Sequence, residues 1–318
     1  MRKIFVSFFF FLLLIVNCYA QFDVQMSQYM LNNSFYNPAF IGEGDLVQLT
    51  GQIRNQWLGM PNAGVSSIVG ANAPIKFGSE NFGVGVRLLK DAVGLFTQQN
   101  MYTQFAYKKK IEKSMLSFGI DVGIISMGFN GTKVKTNFLP GDDFHSSIAS
   151  DPLIPKTEVQ GTSLDLCIGG LFSTPQYYAG LSVASLNAPV IAWENNEIKR
   201  QPSFFLTGGY NWTLTDPKYV VKPSMLFKTS LSTYQIDLSA RLEYDNKYWG
   251  GLSCRVQDAI VVLGGLNLAG GLSVGYSYDL PTTQIISVSS GTHEVFLNYS
   301  FAFVTNTRVS KYKSIRYL

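Results

Sequence analysis

The two histidines of the chain are the residues best suited to acid–base chemistry, and each lies close to carboxylates. His145 follows Asp142 and Asp143, and His293 directly precedes Glu294. A hydrolase needs a nucleophile and a base within hydrogen-bonding reach, but no Gly-x-Ser-x-Gly turn accompanies either histidine. We interpret His293 as a hydrogen-bonded residue at a strand end, and the sequence predicts that the protein is not an enzyme.

Sites for metals and cofactors have equally little support in the sequence. The paired aspartates before His145 lack the spaced ligands of a calcium loop, so we interpret them as part of a solvated loop. Cys167 and Cys254 form no CxxC pair and are too few for a disulfide framework. Gly83-x-Gly85 precedes no helix, which argues against a nucleotide site. We expect no cofactor and no bound metal.

The N-terminus has the features of a secretory signal peptide. Two basic residues precede an apolar run over residues 4–16, and Cys18-Tyr19-Ala20 places small residues before a cleavage point. We expect residues 1–20 to be removed by cleavage before Gln21. Acylation of Cys18 is the alternative, but Asn17 stands where lipoprotein sites carry Gly, Ala or Ser.

The composition indicates a surface that contacts apolar material. Charged residues make up only 14 % of the chain, against about 25 % in soluble domains, and hydrophobic residues make up 46 %. The net charge of +4 offers no footprint for nucleic acid. After the signal peptide, no stretch reaches the roughly 18 to 20 apolar residues of a membrane-spanning helix. Disorder, nucleic-acid binding and a helical membrane protein are therefore excluded.

Alternation of apolar and polar residues with a period of two recurs along the chain. Residues 234–244 place Tyr, Ile, Leu, Ala, Leu and Tyr on one face and Gln, Asp, Ser, Arg and Glu on the other. Residues 116–124, 272–279 and 293–303 repeat the pattern. Segments of this kind are typical of outer-membrane barrels, whose sheet must close because lipid offers no hydrogen-bond partners. A soluble β-sandwich would also alternate, but its exposed face would carry more Lys and Glu.

The sequence therefore predicts an all-β fold, a transmembrane antiparallel β-barrel of about 14 strands over residues 46–304. We expect an N-terminal periplasmic or plug-like segment at 21–45 and a basic periplasmic tail at 305–318. The alternation is weakest at 95–108, and Pro74 and Pro223 fit poorly inside a ladder. The fourteen candidate strands are 46–57, 64–75, 81–90, 95–108, 114–128, 161–173, 176–186, 201–214, 218–229, 233–245, 247–257, 259–268, 270–280 and 291–304.

Charged residues fall on the polar face of many strands, so we expect them to face the barrel lumen. They could form a paired network in a filled lumen, because unpaired buried charges are costly, or they could line the water of a pore. The sequence leaves both readings open. The residues are Arg54, Arg87, Asp121, Asp165, Asp237, Arg241, Glu243, Arg255, Asp279 and Glu294.

Three regions are candidates for protein contacts. The longest connections, 129–160, 187–200 and 281–290, fall at one end of the predicted barrel, which we expect to face the exterior. Ile191 and Trp193 are apolar residues in one of these loops. The N-terminal segment and the basic tail are the candidates on the periplasmic side. The residues proposed for contact are Tyr36, Asn37, Pro38, Phe40, Ile191, Trp193, Arg308, Lys311 and Lys313.

Short motifs in a fixed order add a family resemblance to this reading. The motifs are Gln28-Tyr29-Met30, Tyr36-Asn37-Pro38-Ala39-Phe40-Ile41-Gly42, Arg54-Asn55-Gln56-Trp57, Gly94-Leu95-Phe96, Leu116-Ser117-Phe118-Gly119, Tyr178-Ala179-Gly180-Leu181-Ser182, Gly209-Tyr210, Tyr276-Ser277-Tyr278-Asp279 and Gly291-Thr292-His293-Glu294. Their order and spacing span nearly the whole mature chain, and the chain resembles the PorP/SprF family of type IX secretion system membrane proteins. Where the family usually has Ser or a similar small residue in Gly-x-His-Glu, this chain has Thr292.

The resemblance implies a location in the outer membrane of a Gram-negative cell. It implies contacts with periplasmic and outer-membrane parts of the type IX machinery, and with secreted adhesin cargo. The expected function is to support secretion or surface anchoring of large adhesins in gliding motility. The alternative is an outer-membrane porin or uptake channel for a small solute.

Overall fold

The computed structural model describes residues 23–134, 154–193 and 196–302. The expected signal peptide at 1–20, the loop with His145 and the segment with Arg308, Lys311 and Lys313 lie outside these ranges. Within them, no helix combines the length and the apolar character needed to cross a bilayer.

Strands dominate the described chain because the period-two pattern recurs in segments of about ten residues. Helical structure is confined to short turns, including one α-helical turn, α1, at Asn33–Tyr36. The strands are β1 (Val47–Asn55), β2 (Val65–Phe77), β3 (Glu80–Val93), β4 (Phe96–Ile111), β5 (Ser114–Asn130), β6 (Glu158–Ser173), β7 (Tyr177–Ala184), β8 (Val190–Trp193), β9 (Asn196–Lys199), β10 (Ser203–Tyr210), β11 (Trp212–Thr213), β12 (Tyr219–Thr229), β13 (Tyr234–Tyr244), β14 (Tyr248–Arg255), β15 (Ala259–Asn267), β16 (Leu272–Pro281) and β17 (Thr292–Phe301).

Fourteen of these strands form one closed antiparallel barrel. Neighbours along the chain pair with each other, β1 pairs with β17, and β10 pairs with β12 to close the ring. The short β11 extends the β10 side along β12, while β8 and β9 form a separate hairpin. Each of the fourteen segments expected from the sequence corresponds to one barrel strand, so the predicted fold class is confirmed.

Both prolines that fit the pattern poorly lie inside strands, at places where the ladder is open on one side. The β1–β2 pairing ends at Gln48 and Asn72, so Pro74 needs no donor toward β1. Pro223 falls between the β10 pairing, which ends at Ser224, and the β11 pairing, which begins at Val221. A missing N–H is therefore tolerated at both positions.

The outward face carries an apolar band with aromatic residues at its edges. On β13, Ile236, Leu238, Ala240 and Leu242 point outward between Tyr234 and Tyr244. Ten residues at roughly 3.3 Å each, tilted by about 40°, span about 25 Å along the membrane normal, which matches the apolar band of outer-membrane barrels.

Replacing Leu238 by Arg should lower the free energy of unfolding by about 2 to 4 kcal/mol, because Leu238 lies near the middle of this band. The same substitution at Tyr244, at the edge of the band, should cost about 0 to 1 kcal/mol. Equilibrium refolding into lipid vesicles measures both values. Equal costs would contradict the placement of the band.

The two ends of the barrel differ in their connections. We call the end with the long connections, including 131–157, 185–202 and 282–291, the loop mouth, and the opposite end, with short turns such as 78–79, 112–113 and 245–247, the turn mouth. Strand alternation places the three longest connections at the loop mouth. There the β8–β9 hairpin packs Ile191 and Trp193 against Ile125, Met127 and Val159 on the inward face of β5 and β6.

Candidate functional site: the barrel lumen and its N-terminal segment

Residues 23–44, called the N-terminal segment below, pack against the inward face of the barrel wall. They form irregular turns with short helical pieces at Tyr29–Leu31, α1 and Pro38–Phe40. Their apolar side chains fill spaces between inward-facing residues of several strands, so the hydrophobic core lies between segment and wall. The buried clusters are Val24 and Met26 with Ile68 and Leu89, Tyr29 and Tyr36 with Phe205 and Leu226, Ala39 and Phe40 with Leu171, and Met30 and Leu31 against Trp249, Val261 and Leu263.

The Glu294 side chain binds backbone N–H groups near the start of the N-terminal segment. Its two carboxylate oxygens accept the N–H groups of Ser27 at 2.7 Å and Gln28 at 2.9 Å. Gln52 donates to the same carboxylate at 2.8 Å. Hydrogen bonds to an ionised group are among the stronger ones in proteins, so this contact fixes the segment to β17 and β1.

Arg255 organises the charges beside Ser27. Its guanidinium lies 2.9 Å from Asp237 Oδ1 and 3.1 Å from Asp279 Oδ2, and it donates to Ser27 Oγ at 3.0 Å. Arg54 lies 2.8 Å from the same oxygen of Asp279. Each buried carboxylate thus has a guanidinium partner, which offsets the cost of removing it from water.

Four motifs that are far apart in the sequence meet at this network. Ser27 and Gln28 lie at the Gln28-Tyr29-Met30 motif, Arg54 begins Arg54-Asn55-Gln56-Trp57, and Asp279 and Glu294 end their own motifs. Their convergence gives a physical reason for the residue types. The acids and the arginine form the network, and the N-terminal motif supplies the backbone groups that it binds.

A second network joins the segment to the opposite wall. Arg87 lies 3.1 Å from Asp121 and donates to the carbonyl of Phe35. Its guanidinium also lies over the ring of Tyr102, 4.5 Å from the ring centre. Tyr102 in turn donates its hydroxyl hydrogen to Asp165. Arg87 therefore links α1 to strands β3 to β6.

Inward-facing glycines provide the close approach that residues 37–41 require. A Cβ atom at Gly119 would overlap Pro38 and the amide of Ala39, and one at Gly169 would overlap the side chain of Asn37. Asn37 donates to the carbonyl of Gly170 at 3.0 Å. The sequence shows these glycines on the polar faces of their strands, but the pattern analysis did not identify them as contact residues.

The structure places the predicted site residues as follows. Every one of the predicted lumen charges lies on the inward face of its strand. Arg54, Arg87, Asp121, Asp165, Asp237, Arg255, Asp279 and Glu294 belong to the two networks, whereas Arg241 and Glu243 lie nearer the turn mouth. Glu243 pairs there with Lys222 at 2.8 Å.

Six of the residues proposed for protein contact are buried in the structure. Tyr36, Asn37, Pro38 and Phe40 are buried against the chain's own wall, because their apolar surface and the Asn37 amide find partners inside the lumen. Ile191 and Trp193 are likewise buried, because β5 and β6 offer an apolar inward surface where β6 extends beyond its pairing with β7. In this conformation none of these six side chains forms an exposed contact surface.

The contacts among the described residues hold the N-terminal segment against the barrel wall. His293 lies near the start of β17, with Nδ1 2.6 Å from Tyr276 Oη and its ring centre 5.1 Å from that of the tilted Tyr278 ring. No group of three or more His, Cys, Asp or Glu residues with metal-binding geometry occurs within the described ranges.

Two of the solved structures that resemble this chain cover most of its length. The monoaromatic hydrocarbon channel CymD has a TM-score of 0.51 and 14 % identity, covering 90 % of this chain and 95 % of that one. A FadL homologue from Pseudomonas aeruginosa has a TM-score of 0.48 and 10 % identity, covering 85 % and 94 %. At these identities the likeness to CymD shows the fold alone. No curated protein matches the chain by sequence.

The family comparison covers nearly the whole chain. The model for the type IX secretion system membrane protein PorP/SprF matches residues 18–299. That range contains the N-terminal segment, all the motifs of the two networks and the barrel up to the last two residues of β17. The chain therefore belongs to the PorP/SprF family and is an outer-membrane β-barrel component of the type IX secretion system.

Proposed function

We propose that this protein acts as a closed barrel that supports secretion or surface anchoring of large adhesins in gliding motility through protein–protein contacts. The observation that carries the proposal is the docking of the N-terminal segment on Glu294 and Arg255, which are almost fully buried. A barrel filled by its own chain suits a scaffold better than a conduit. In this role the segment is a plug.

The proposed chain organisation follows from this role. Residues 1–20 are a signal peptide that is cleaved before Gln21, residues 21–45 are the plug, residues 46–304 are the barrel, and residues 305–318 are a basic tail. The turn mouth faces the periplasm and the loop mouth faces the exterior, in accord with the usual short and long connections of such barrels.

Contacts with other components of the secretion system are proposed at both mouths. Arg308, Lys311 and Lys313 of the tail contact periplasmic components. Exposed side chains at the turn mouth add to this surface, since Phe77 is 80 % exposed and Lys109, on the neighbouring hairpin, pairs with Glu80 opposite Phe77. At the loop mouth, the β8–β9 hairpin with Ile191 and Trp193 is the proposed contact for adhesin cargo, reached when the hairpin lifts from β5 and β6.

Deletion of residues 23–42 should convert a silent barrel into a conducting one, because it removes the chain that fills the lumen. Planar-bilayer recordings on the purified intact protein and the deletion variant measure this difference. Steady open-channel currents from the intact protein would contradict the proposal and favour the solute channel. Cells that lack the gene should also lose particular large adhesins from their surface, which surface proteomics measures.

A further inference from the structure

A small cavity lies at the turn mouth beneath the Tyr29–Leu31 turn, apart from the two ion networks. Its volume is about 130 Å³. Trp249 and Phe296 form apolar walls, and Gln48, Asn267 and Asn298 bring amide groups to it. Arg241 extends into this space from β13.

Arg241 has unused hydrogen-bonding capacity. Its nearest carboxylate oxygen belongs to Glu243 and is 3.9 Å away, and that oxygen already contacts Lys222 at 2.8 Å. The Arg241 side chain is only 11 % exposed, and its Nε–H is buried without a hydrogen-bond partner. Arg54 and Arg87 also have a buried Nε–H without a partner, but they and Arg255 each lie within 3.1 Å of a carboxylate, which Arg241 does not.

Trp249 fixes the orientation of this guanidinium. The guanidinium carbon lies 5.3 Å from the centre of the Trp249 ring. Stacking of this kind holds the planar group in place while leaving its edges free to donate. A guanidinium edge matches a planar carboxylate, which can accept two parallel N–H bonds.

We propose that this cavity binds a carboxylate group through Arg241, with Trp249 and Phe296 enclosing the short carbon chain that carries it. The volume corresponds to roughly four waters at about 30 Å³ each, so a carboxylate with a few carbon atoms fits. The group comes either from a small free acid or from a peptide, as an acidic side chain or a C-terminus. This inference is independent of the proposed secretion function.

Titration of the intact purified barrel with sodium acetate tests the proposal through tryptophan fluorescence. We expect a saturable change that acetamide does not produce and that is absent in Trp249→Phe. Arg241→Gln should weaken acetate binding by about tenfold or more, because the charge-assisted bonds are lost. Arg241→Lys keeps the positive charge but loses the planar guanidinium. Its affinity for acetate should therefore fall between that of the intact protein and that of Arg241→Gln.

Lys247→Gln is the matched control, since this exposed lysine lies on the neighbouring turn and should leave the affinity unchanged. A capped tripeptide with a free C-terminal carboxylate identifies the source of the group. Tighter binding than acetate indicates a peptide, and equal or weaker binding indicates a small acid. No response of the intact protein to acetate or to the tripeptide, or equal affinities in Arg241→Gln and the intact protein, would overturn the proposal.

Discussion

Replacing Arg255 by Met is expected to lower the free energy of unfolding by about 3 to 5 kcal/mol, the range for removing one partner from a buried ion pair. Arg255 is 2 % exposed and contacts Asp237, Asp279 and Ser27. Methionine fills similar space but leaves Asp237 without its nearest positive partner. Equilibrium unfolding in urea, with the protein refolded into lipid vesicles, measures the loss.

Lys109→Met provides the control for Arg255→Met. Lys109 pairs with Glu80 at 3.0 Å, but its side chain is 54 % exposed, so its loss should cost about 0 to 1 kcal/mol. The double variant Arg255→Met with Asp237→Asn should regain part of the lost free energy of unfolding, since an uncharged amide then replaces the unpaired carboxylate of Asp237. Similar costs for Arg255→Met and Lys109→Met would show that the network does not stabilise the fold.

The barrel wall could be predicted from the sequence because each strand contacts two unlike environments. Lipid outside and polar groups inside impose the same alternation on β13 and on the other clear strands. The alternation was disturbed only at a few single positions. Pro74 and Pro223 disturbed the pattern, and only the pairing of their neighbours shows that each lies where one side of the ladder is open.

The contents of the lumen could not be predicted, because an ion network and a water-filled pore place the same residue types on the inward face. The choice depends on contacts between residues far apart, such as Ser27 with Glu294. The burial of the apolar residues Tyr36 and Trp193 could not be predicted for a related reason. Their burial depends on surfaces of β5, β6 and β10 that a local pattern does not show.

Replacing Gly119 by Leu should expel residues 37–41 from the wall, because even the Cβ atom would overlap Pro38 and the amide of Ala39. The new side chain points into the space that the segment leaves, so the strand pairing of β5 can persist. We expect steady currents from this variant in planar bilayers, and none from the intact protein. We also expect chymotrypsin to cleave after Tyr36 or Phe40, both of which are buried in the intact protein.

Gly170→Leu is the matched control for Gly119→Leu, since it makes the same substitution on the adjacent strand. A Cβ atom at Gly170 would meet no atom within 4 Å, so the segment should stay docked, silent and protected from chymotrypsin. If Gly119→Leu were as silent and protected as Gly170→Leu, close packing at this glycine would not be what holds the segment. If both variants conducted, the current would come from a damaged wall. Conduction by Gly119→Leu alone would tie closure of the barrel to the fit between Pro38 and one inward glycine.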